Sequence, residues 1–90
     1  MKVLWGRAAW DDFRDWYGSD AQAFEKIFQL VAGIQRDPFR GVGQPEPLEG
    51  KTFQGWWSRR INKRDRLIYP VAGKDDDQTL EIWACRGHYG

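Results

Sequence analysis

The chain has 90 residues, 30% of them charged, and a formal net charge of +1 at pH 7. This length predicts a single domain spanning residues 1–90, and the balanced charge argues against a strongly basic protein that binds nucleic acid unaided. A single cysteine rules out an internal disulfide and a zinc site of several thiolates, and no apolar run has the roughly 18–20 residues of a membrane span, so we expect a cytoplasmic protein.

The first part of the sequence predicts a short strand followed by two helices. Residues 2–5 are typical of a strand, and the aromatic residues after it recur at helical spacing: Trp10, Phe13, Trp16 and Tyr17. Gly18 ends this helix, and Ser19 with Gln22 three residues later has the form of a capping box for the next one. The apolar positions of the second helix continue to about Gln35 and predict core residues: Phe24, Ile27, Leu30, Val31 and Ile34.

Residues 36–55 lose the helical pattern and are rich in glycine and proline, which predicts a long connecting loop. Long loops in small domains are usually functional or disordered. Pro45 and Pro47 hold this loop stiff around Glu46. A carboxylate fixed in this way suits catalysis, although Pro-Glu-Pro also occurs in plain linkers.

Three runs rich in aromatic and β-branched residues follow, at 56–61, 66–71 and 79–85, and they predict an antiparallel meander. Pro70 cannot donate to a ladder, so its strand bends there or lies at an edge. Alternation in the last run predicts one face with Leu80, Ile82 and Ala84 and another with Glu81, Trp83 and Cys85. Two helices packed on a small antiparallel sheet give an α+β domain of the order β-α-α-β-β-β.

A basic block lies between two acidic flanks. Residues 51–66 contain a single acid, Asp65, and six basic residues: Lys51, Arg59, Arg60, Lys63, Arg64 and Arg66. Such a block predicts contact with phosphates, and a solvated hairpin surface is the alternative. The candidates for phosphate contact are Lys51, Arg59, Arg60 and, near the C-terminus, Arg86.

The only histidine, His88, lies beside Tyr89 close to the C-terminus. Antiparallel neighbours can bring this pair onto one surface with Glu46 and the arginines at 59, 60, 66 and 86. That set suits cleavage of RNA without a metal ion: a carboxylate takes the 2′-OH proton, arginines stabilise the phosphorane, and an imidazolium protonates the leaving 5′-oxygen. DNA lacks the 2′-OH and could not follow this route. A histidine with no role at an exposed terminus is the competing interpretation.

Metal and cofactor chemistry fit the sequence poorly. No HxH or HExxH spacing surrounds His88, and Asp75-Asp76-Asp77 is typical of a solvated turn. The glycines at 41 and 43 precede prolines and not a helix, so they do not form a phosphate-binding motif. We therefore expect no metal ion and no cofactor.

Six groups of residues also match a known pattern, in order and at near-family spacing. They are Trp5 with Trp10-Asp11-Asp12, Pro38-Phe39 with Gly41 and Gly43, Pro45-Glu46-Pro47-Leu48, Trp57-Ser58-Arg59-Arg60-Ile61, Arg66-Leu67-Ile68-Tyr69, and Ala84-Cys85-Arg86 with His88-Tyr89. Through them the chain closely resembles, nearly end to end, the Txe/YoeB family of toxins in bacterial toxin–antitoxin pairs, within the RelE superfamily.

The resemblance implies a RelE-like fold and a ribosome-dependent mRNA endonuclease, which cuts the codon in the ribosomal A site and leaves a 2′,3′-cyclic phosphate. It implies that Glu46 is the general base and His88 the general acid. It implies that Arg60 and Arg66 contact the scissile phosphate and that Tyr89 helps to order the substrate. The implied partners are mRNA, the 70S ribosome with its 16S rRNA, and a YefM/Phd-type antitoxin whose disordered tail folds over this surface; a homodimer is allowed.

The chain departs from the family pattern at three places. Glu49 stands where some members have a lysine, so either Lys51 takes over that phosphate contact or the contact is absent. Gly87 replaces an aromatic residue before the histidine, which predicts a looser tail. The hairpin at 73–78 is longer and more acidic, and Gly90 extends past the usual end.

Two further hypotheses remain open at this stage. One is a module that binds the ribosome or an antitoxin, for translation block or co-repression without cleavage, which the changes at Glu49 and Gly87 would explain. The other is a structural interaction domain whose aromatic surface awaits a partner. The first predicts translation arrest without new RNA 5′ ends, and the second predicts no toxicity on expression.

Overall fold

The computed structural model of the chain describes residues 2–71 and 79–87, and two helices in it pack on one side of a small sheet. The elements in chain order are β1 (Lys2–Trp5), α1 (Arg7–Ser19), α2 (Ala21–Arg36), β2 (Glu46–Pro47), a 3-10 turn (Lys51–Phe53), β3 (Trp56–Arg60), β4 (Arg66–Pro70) and β5 (Thr79–Ile82). The α+β class and the order of helices before strands are confirmed. The short strand β2 is an addition to the prediction.

The sheet is mixed and not purely antiparallel. β3 pairs antiparallel with β2 on one side and with β4 on the other. β1 pairs parallel with β5, and an antiparallel bridge between Ile68 and Ala84 joins this pair to β4. A parallel neighbour needs a long crossover, which the chain between β1 and β5 supplies.

A β-bulge follows β5 and changes which side chains face the core. The Trp83 N–H donates to the Ile68 carbonyl at 2.9 Å, and the Ile68 N–H donates to the Ala84 carbonyl at 2.8 Å, so two residues lie opposite one. Leu80 and Ile82 face the helices as predicted, but Cys85 joins them in the main core. Ala84 packs on the other side with Leu48 and Ile68. The predicted faces of Ala84 and Cys85 are therefore wrong, because the extra residue shifts the alternation.

The helices follow the predicted apolar stripes, with one error at their junction. Ser19 is the last residue of α1, and its hydroxyl donates to the Asp15 carbonyl at 2.8 Å. The N-cap of α2 is Asp20, whose carboxylate accepts from the Ala23 N–H at 3.1 Å. The predicted capping box was one residue too early. The buried residues of the two helices are Ala9, Phe13, Trp16, Ala23, Ile27, Leu30 and Ile34.

Aromatic residues of α1 do not all enter the core. Trp10 is 44% exposed and Tyr17 is 74% exposed, so two of the predicted stripe positions lie at the surface. In the parts of the chain that the structure describes, neither helix combines the length and the apolar character that crossing a membrane requires.

Candidate active site

Side chains of β3 alternate between the two sides of the sheet. Trp57 and Arg59 point toward the helices, whereas Trp56, Ser58 and Arg60 point away from them. Directly paired residues on neighbouring strands share a side, so the register decides which other residues join the second group.

The register brings three predicted site residues onto the side away from the helices. Glu46 pairs with Ser58, Ser58 pairs with Ile68, and Arg60 pairs with Arg66. We call this side of the sheet, where Glu46, Arg60 and Arg66 lie around the buried Ser58 and Ile68, the open face. With strands about 4.8 Å apart and a rise of about 3.3 Å per residue, the Cα of Glu46 lies about 8 Å from that of Arg60 and about 12 Å from that of Arg66.

Glu46 is held by an edge strand and not only by its neighbouring prolines. Its pairing with β3 continues as the Leu48 N–H donates to the Trp56 carbonyl at 2.9 Å. Pro45 and Pro47 are tolerated because β2 lies at the edge of its sheet. The Glu46 side chain is exposed, so its carboxylate is open to a substrate.

Arg66 is nearly buried but keeps donors available. Its Nη1 group donates to the carbonyls of Asn62 at 2.9 Å and Asp65 at 3.1 Å. Among the described residues no acceptor contacts its Nε or Nη2, so these N–H groups can take a further acceptor. Arg60, by contrast, is exposed. One arginine is therefore fixed by the β3–β4 turn and the other is free to adjust.

Arg59 is a correction to the predicted phosphate contacts. Its side chain is 0% exposed, and its Nε donates to the Tyr69 hydroxyl at 3.1 Å. Its Nη1 donates to the Val42 carbonyl at 3.0 Å, and its Nη2 donates to the carbonyls of Asp37 and Arg40. Four of the five guanidinium N–H groups are thus used inside the protein, and none of them reaches the open face.

The Tyr69 hydroxyl completes this buried network, since it donates to the Pro38 carbonyl at 2.7 Å. Burial raises the pKa of Tyr69, although the Arg59 hydrogen bond partly offsets this. Two adjacent residues on a strand point to opposite sides of the sheet. This alternation alone indicates that Arg59 and Arg60 cannot both contact the same phosphate surface. The network ties residues 37–42 to β3 and β4.

Asp65 is a functional candidate that sequence reasoning missed. It is 5% exposed, and its carboxylate accepts from the Gly87 N–H at 2.9 Å. The Gly87 carbonyl in turn accepts from the Arg66 N–H at 2.9 Å. Gly87 has φ +97°, a conformation that favours glycine. Gly87 itself is therefore held by two hydrogen bonds beside Arg66, whereas the tail that it is predicted to loosen lies outside the described residues.

Three residues of α1 hold the segment before Gly87 in place. The Trp16 Nε1–H donates to the Cys85 carbonyl at 2.9 Å, and the Cys85 thiol donates to the Ala9 carbonyl at 3.3 Å. Burial raises the pKa of Asp12, and the interaction of its carboxylate with the Cys85 N–H offsets this only in part. Burial raises the pKa of the Cys85 thiol to about 12. Cys85 is thus a structural thiol and not a nucleophile.

The remaining predicted residues lie elsewhere or outside the described residues. The Arg86 guanidinium lies over the Trp16 ring, 4.6 Å from its centroid, which puts it against α1 and not on the open face. Lys51 is exposed at the start of the 3-10 turn, and its contact with phosphate stays a prediction. His88, Tyr89 and Gly90, the acidic hairpin at 73–78 and its three aspartates lie outside the described residues. Within residues 2–71 and 79–87, no three His, Cys, Asp or Glu side chains come together as a metal site.

Comparison with known proteins gives consistent matches over nearly the whole chain. The family model described as "YoeB-like toxin of bacterial type II toxin-antitoxin system" matches residues 5–89. "Toxin YoeB" of Escherichia coli K12 is 43% identical over 89 residues, covering 99% of this chain and 100% of that protein.

Solved structures agree with the sequence comparison. A "YoeB/ParE toxin from Agrobacterium tumefaciens" superposes with a TM-score of 0.91 at 45% identity, covering 99% of this chain and 100% of that one. The YoeB dimer from Staphylococcus aureus has a TM-score of 0.86 at 32% identity, covering 99% and 98%. A chain of the heterotetrameric YoeB-YefM toxin-antitoxin complex from Staphylococcus aureus has a TM-score of 0.82 at 32% identity, with the same coverage.

Proposed function

The chain belongs to the family of YoeB-like toxins of bacterial type II toxin–antitoxin systems, and from this premise we propose that it is an endoribonuclease that cleaves mRNA in the A site of the 70S ribosome. The observation that carries the proposal is the open face, where a carboxylate and two guanidinium groups share neighbouring strands. Glu46 lies on the strand at one side of β3 and Arg66 on the strand at the other side. Arg60 lies on β3 itself, directly opposite Arg66 and two residues along the strand from Ser58, the partner of Glu46.

The proposed reaction is a transesterification within the RNA. Glu46 takes the proton of a 2′-OH, whose oxygen attacks the adjacent phosphorus. Arg60 and Arg66 stabilise the extra negative charge of the phosphorane. His88 gives a proton to the departing 5′-oxygen, and a 2′,3′-cyclic phosphate remains on the upstream fragment. Tyr89 helps to order the substrate, and no metal ion or cofactor takes part.

The distances within the open face support this division of roles. An arginine side chain reaches several ångströms from its Cα, so Cα separations of about 8 and 12 Å leave room for a phosphate between Glu46 and the two arginines. Gly87 is anchored beside Arg66, and His88 is the next residue in the sequence. The residue before the proposed acid is thereby tied to the arginine that stabilises the phosphate.

Dependence on the ribosome is supported by the exposure of the open face, which by itself cannot hold an RNA strand in a fixed orientation. Glu46 and Arg60 are exposed, and the net charge of the chain is only +1. Exposed groups hold a flexible RNA strand poorly, and orientation can supply about 7–11 kcal/mol of a barrier. We infer that the ribosome supplies this orientation by presenting the codon to the open face.

The same proposal names the partners and the location. The Staphylococcus aureus relatives form a YoeB dimer and a complex with YefM, and we propose that this chain forms a homodimer and binds a YefM/Phd-type antitoxin. An antitoxin tail with carboxylates would pair with the arginines of the open face and thereby exclude RNA. Because the proposed substrate is ribosome-bound mRNA, we also propose a location in the cytoplasm.

Primer extension on a defined mRNA in a reconstituted translation reaction tests the proposal. We expect new 5′ ends within the A-site codon, only when ribosomes are present. Glu46→Gln and His88→Gln should each lower the cleavage rate by about 10²-fold or more, because general acid–base steps contribute about 10²–10⁴-fold. Glu25→Gln is the matched control, since this exposed carboxylate lies on α2, away from the open face, and it should cleave normally.

Two results would contradict the proposal. Full cleavage by the Glu46 and His88 variants would remove their assigned roles. Arrested translation without any new 5′ ends in the unmodified protein would identify a binding module that blocks the ribosome without cutting RNA.

A further inference from the structure

Two tryptophans pair on the side of the sheet away from the helices. The rings of Trp56 and Trp83 are 5.5 Å apart between centroids, at an interplanar angle of 66°. Trp56 packs on the small apolar cluster of Leu48, Ile68 and Ala84, whereas Trp83 stays 44% exposed. The two rings therefore present one partly exposed aromatic surface on this side of the sheet.

The position of the pair relative to Glu46 is specific. Trp56 and Arg60 lie two residues to either side of Ser58, the β3 partner of Glu46. Each is therefore about 6.6 Å from Ser58 along the strand, in opposite directions. The tryptophan pair lies at one end of the open face and the two arginines lie at the other, with the carboxylate between them.

The bulge after β5 helps to place Trp83 there. It puts Trp83 and the small Ala84 together opposite Ile68, so that the indole lies beside a short side chain and not a bulky one. Bulges redirect side chains in this way and are frequent next to active sites.

We propose that Trp83, supported by Trp56, is a stacking platform for the nucleobase on the 5′ side of the scissile phosphate. The inference rests on the proposed function, because the reaction fixes the direction of the RNA. If Glu46 takes the 2′-OH proton and the phosphate lies toward Arg60 and Arg66, the nucleotide that carries this 2′-OH extends toward the tryptophans.

The charge of the surroundings favours RNA over an apolar protein segment as the occupant. An exposed indole on the same surface as guanidinium groups is a combination that binds single-stranded nucleic acid, with bases on the rings and phosphates on the cations. The open face presents one carboxylate and, further from the pair, two guanidinium groups. Stacking is tolerant of sequence, so the platform positions the codon without demanding one base.

The test uses ribosome-bound mRNA with 2-aminopurine at the position 5′ of the cleaved bond. Binding of the Glu46→Gln protein, which leaves the RNA intact, should quench this fluorescence through stacking. Adding Trp83→Leu should abolish the quenching, whereas Trp83→Phe should keep most of it. Trp10→Leu is the matched control, because Trp10 is equally exposed at 44% but lies on α1.

A kinetic experiment with an abasic residue gives a second readout. Loss of one stacked base lowers affinity by about 10- to 100-fold, so Trp83→Leu should raise KM by about that factor with intact mRNA. With an abasic nucleotide 5′ of the cleaved bond, unmodified protein should show the same loss, and Trp83→Leu should add little to it. An abasic nucleotide 3′ of the bond should leave the effect of Trp83→Leu unchanged.

The outcomes separate this inference from the proposed function. Cleavage that depends on Glu46 but shows neither Trp83-dependent quenching nor coupling to the base would overturn the platform and leave the nuclease standing. Quenching that depends on Trp83 without cleavage would keep the platform and overturn the nuclease. Normal RNA readouts for Trp83→Leu combined with failed neutralisation by an antitoxin would assign the pair to the protein partner and refute the inference.

Discussion

Replacing Arg59 by methionine should destabilise the protein strongly, although its neighbour Arg60 should tolerate the same change. The Arg59 guanidinium is completely buried and donates to three backbone carbonyls and to the Tyr69 hydroxyl. Methionine fills similar space but donates no hydrogen bond, so Arg59→Met leaves these four acceptors without their donor.

The magnitude follows from those acceptors. A buried polar group without a partner costs about 1–3 kcal/mol. Water can replace the donor at the partly buried carbonyls, and removing a buried charge returns some desolvation energy, so we expect a net loss of about 2–4 kcal/mol. For a domain of this size such a loss lowers Tm by about 10–30 °C. Arg60→Met changes an exposed side chain and should alter stability by less than about 0.5 kcal/mol.

The two variants should show the opposite order in activity per folded molecule. The Arg60 N–H donates to the Gly43 carbonyl at 2.7 Å, and this bond uses the backbone, so it survives in Arg60→Met. The lost Arg60 guanidinium should nevertheless slow RNA cleavage. At a low temperature, where Arg59→Met is still folded, its cleavage rate should fall only to the extent that the loop before Glu46 loses its fixed position.

Urea unfolding followed by tryptophan fluorescence measures the stability difference between these variants. Tyr69→Phe is an intermediate control, because it removes one hydroxyl from the network and should cost about 1–2 kcal/mol. The reasoning is refuted if Arg59→Met unfolds within about 0.5 kcal/mol of the unmodified protein, or if Arg60→Met proves the less stable of the pair.

Two more predictions concern the segment that leads to His88. Asp65→Ala removes the acceptor for the Gly87 N–H and should slow mRNA cleavage at least about tenfold, whereas Asp65→Asn keeps an oxygen acceptor and should retain most activity; equal rates for both would show that this anchor is unimportant. Because burial raises the pKa of Cys85 from an ordinary value of 9.0 to about 12, the unfolded state loses its thiol proton first, so this stabilisation is complete below pH 9 and is lost as the pH rises toward 12. The free energy of unfolding, measured with urea, should therefore fall more between pH 8 and pH 10 for the unmodified protein than for Cys85→Ala. The difference should be at most about 1.4 kcal/mol per pH unit, and an equal fall in both proteins would contradict the assignment.

The helices and strands could be predicted from the sequence because their signals are local. Periods of 3.6 and 2 identified α2 and the strands near Trp56 and Arg66, and the pattern Pro-Glu-Pro singled out Glu46. The pairing of β1 with β5 could not be predicted in this way, since it joins the two ends of the chain. The bulge at Trp83 could not be predicted either, because an extra residue in a strand does not change the composition of the sequence. Register and bulges depend on tertiary pairing.

The roles of neighbouring charged residues show the same limit at finer scale. Arg59 and Arg60 are identical in type and adjacent in sequence, and both fall in the basic block that predicted phosphate contact. Only the side of the strand separates them, and one becomes a buried structural group. Asp65 is the reverse case: it was noticed merely as the lone acid in that block, but its carboxylate anchors Gly87.

These buried contacts explain how an open surface can still be pre-organised for catalysis. Arg59 ties the loop before Glu46 to the central strands, and Asp65 with α1 ties the segment before His88 to the same sheet. Both anchors act through buried side chains, Arg59 and Asp65, so they can be strong without occupying space that RNA needs. The two anchors share no hydrogen-bond partner. Substitutions of Arg59 and of Asp65 should therefore raise the activation free energy of cleavage additively. A double variant no slower than the worse single variant would mean that both changes disturb one common element.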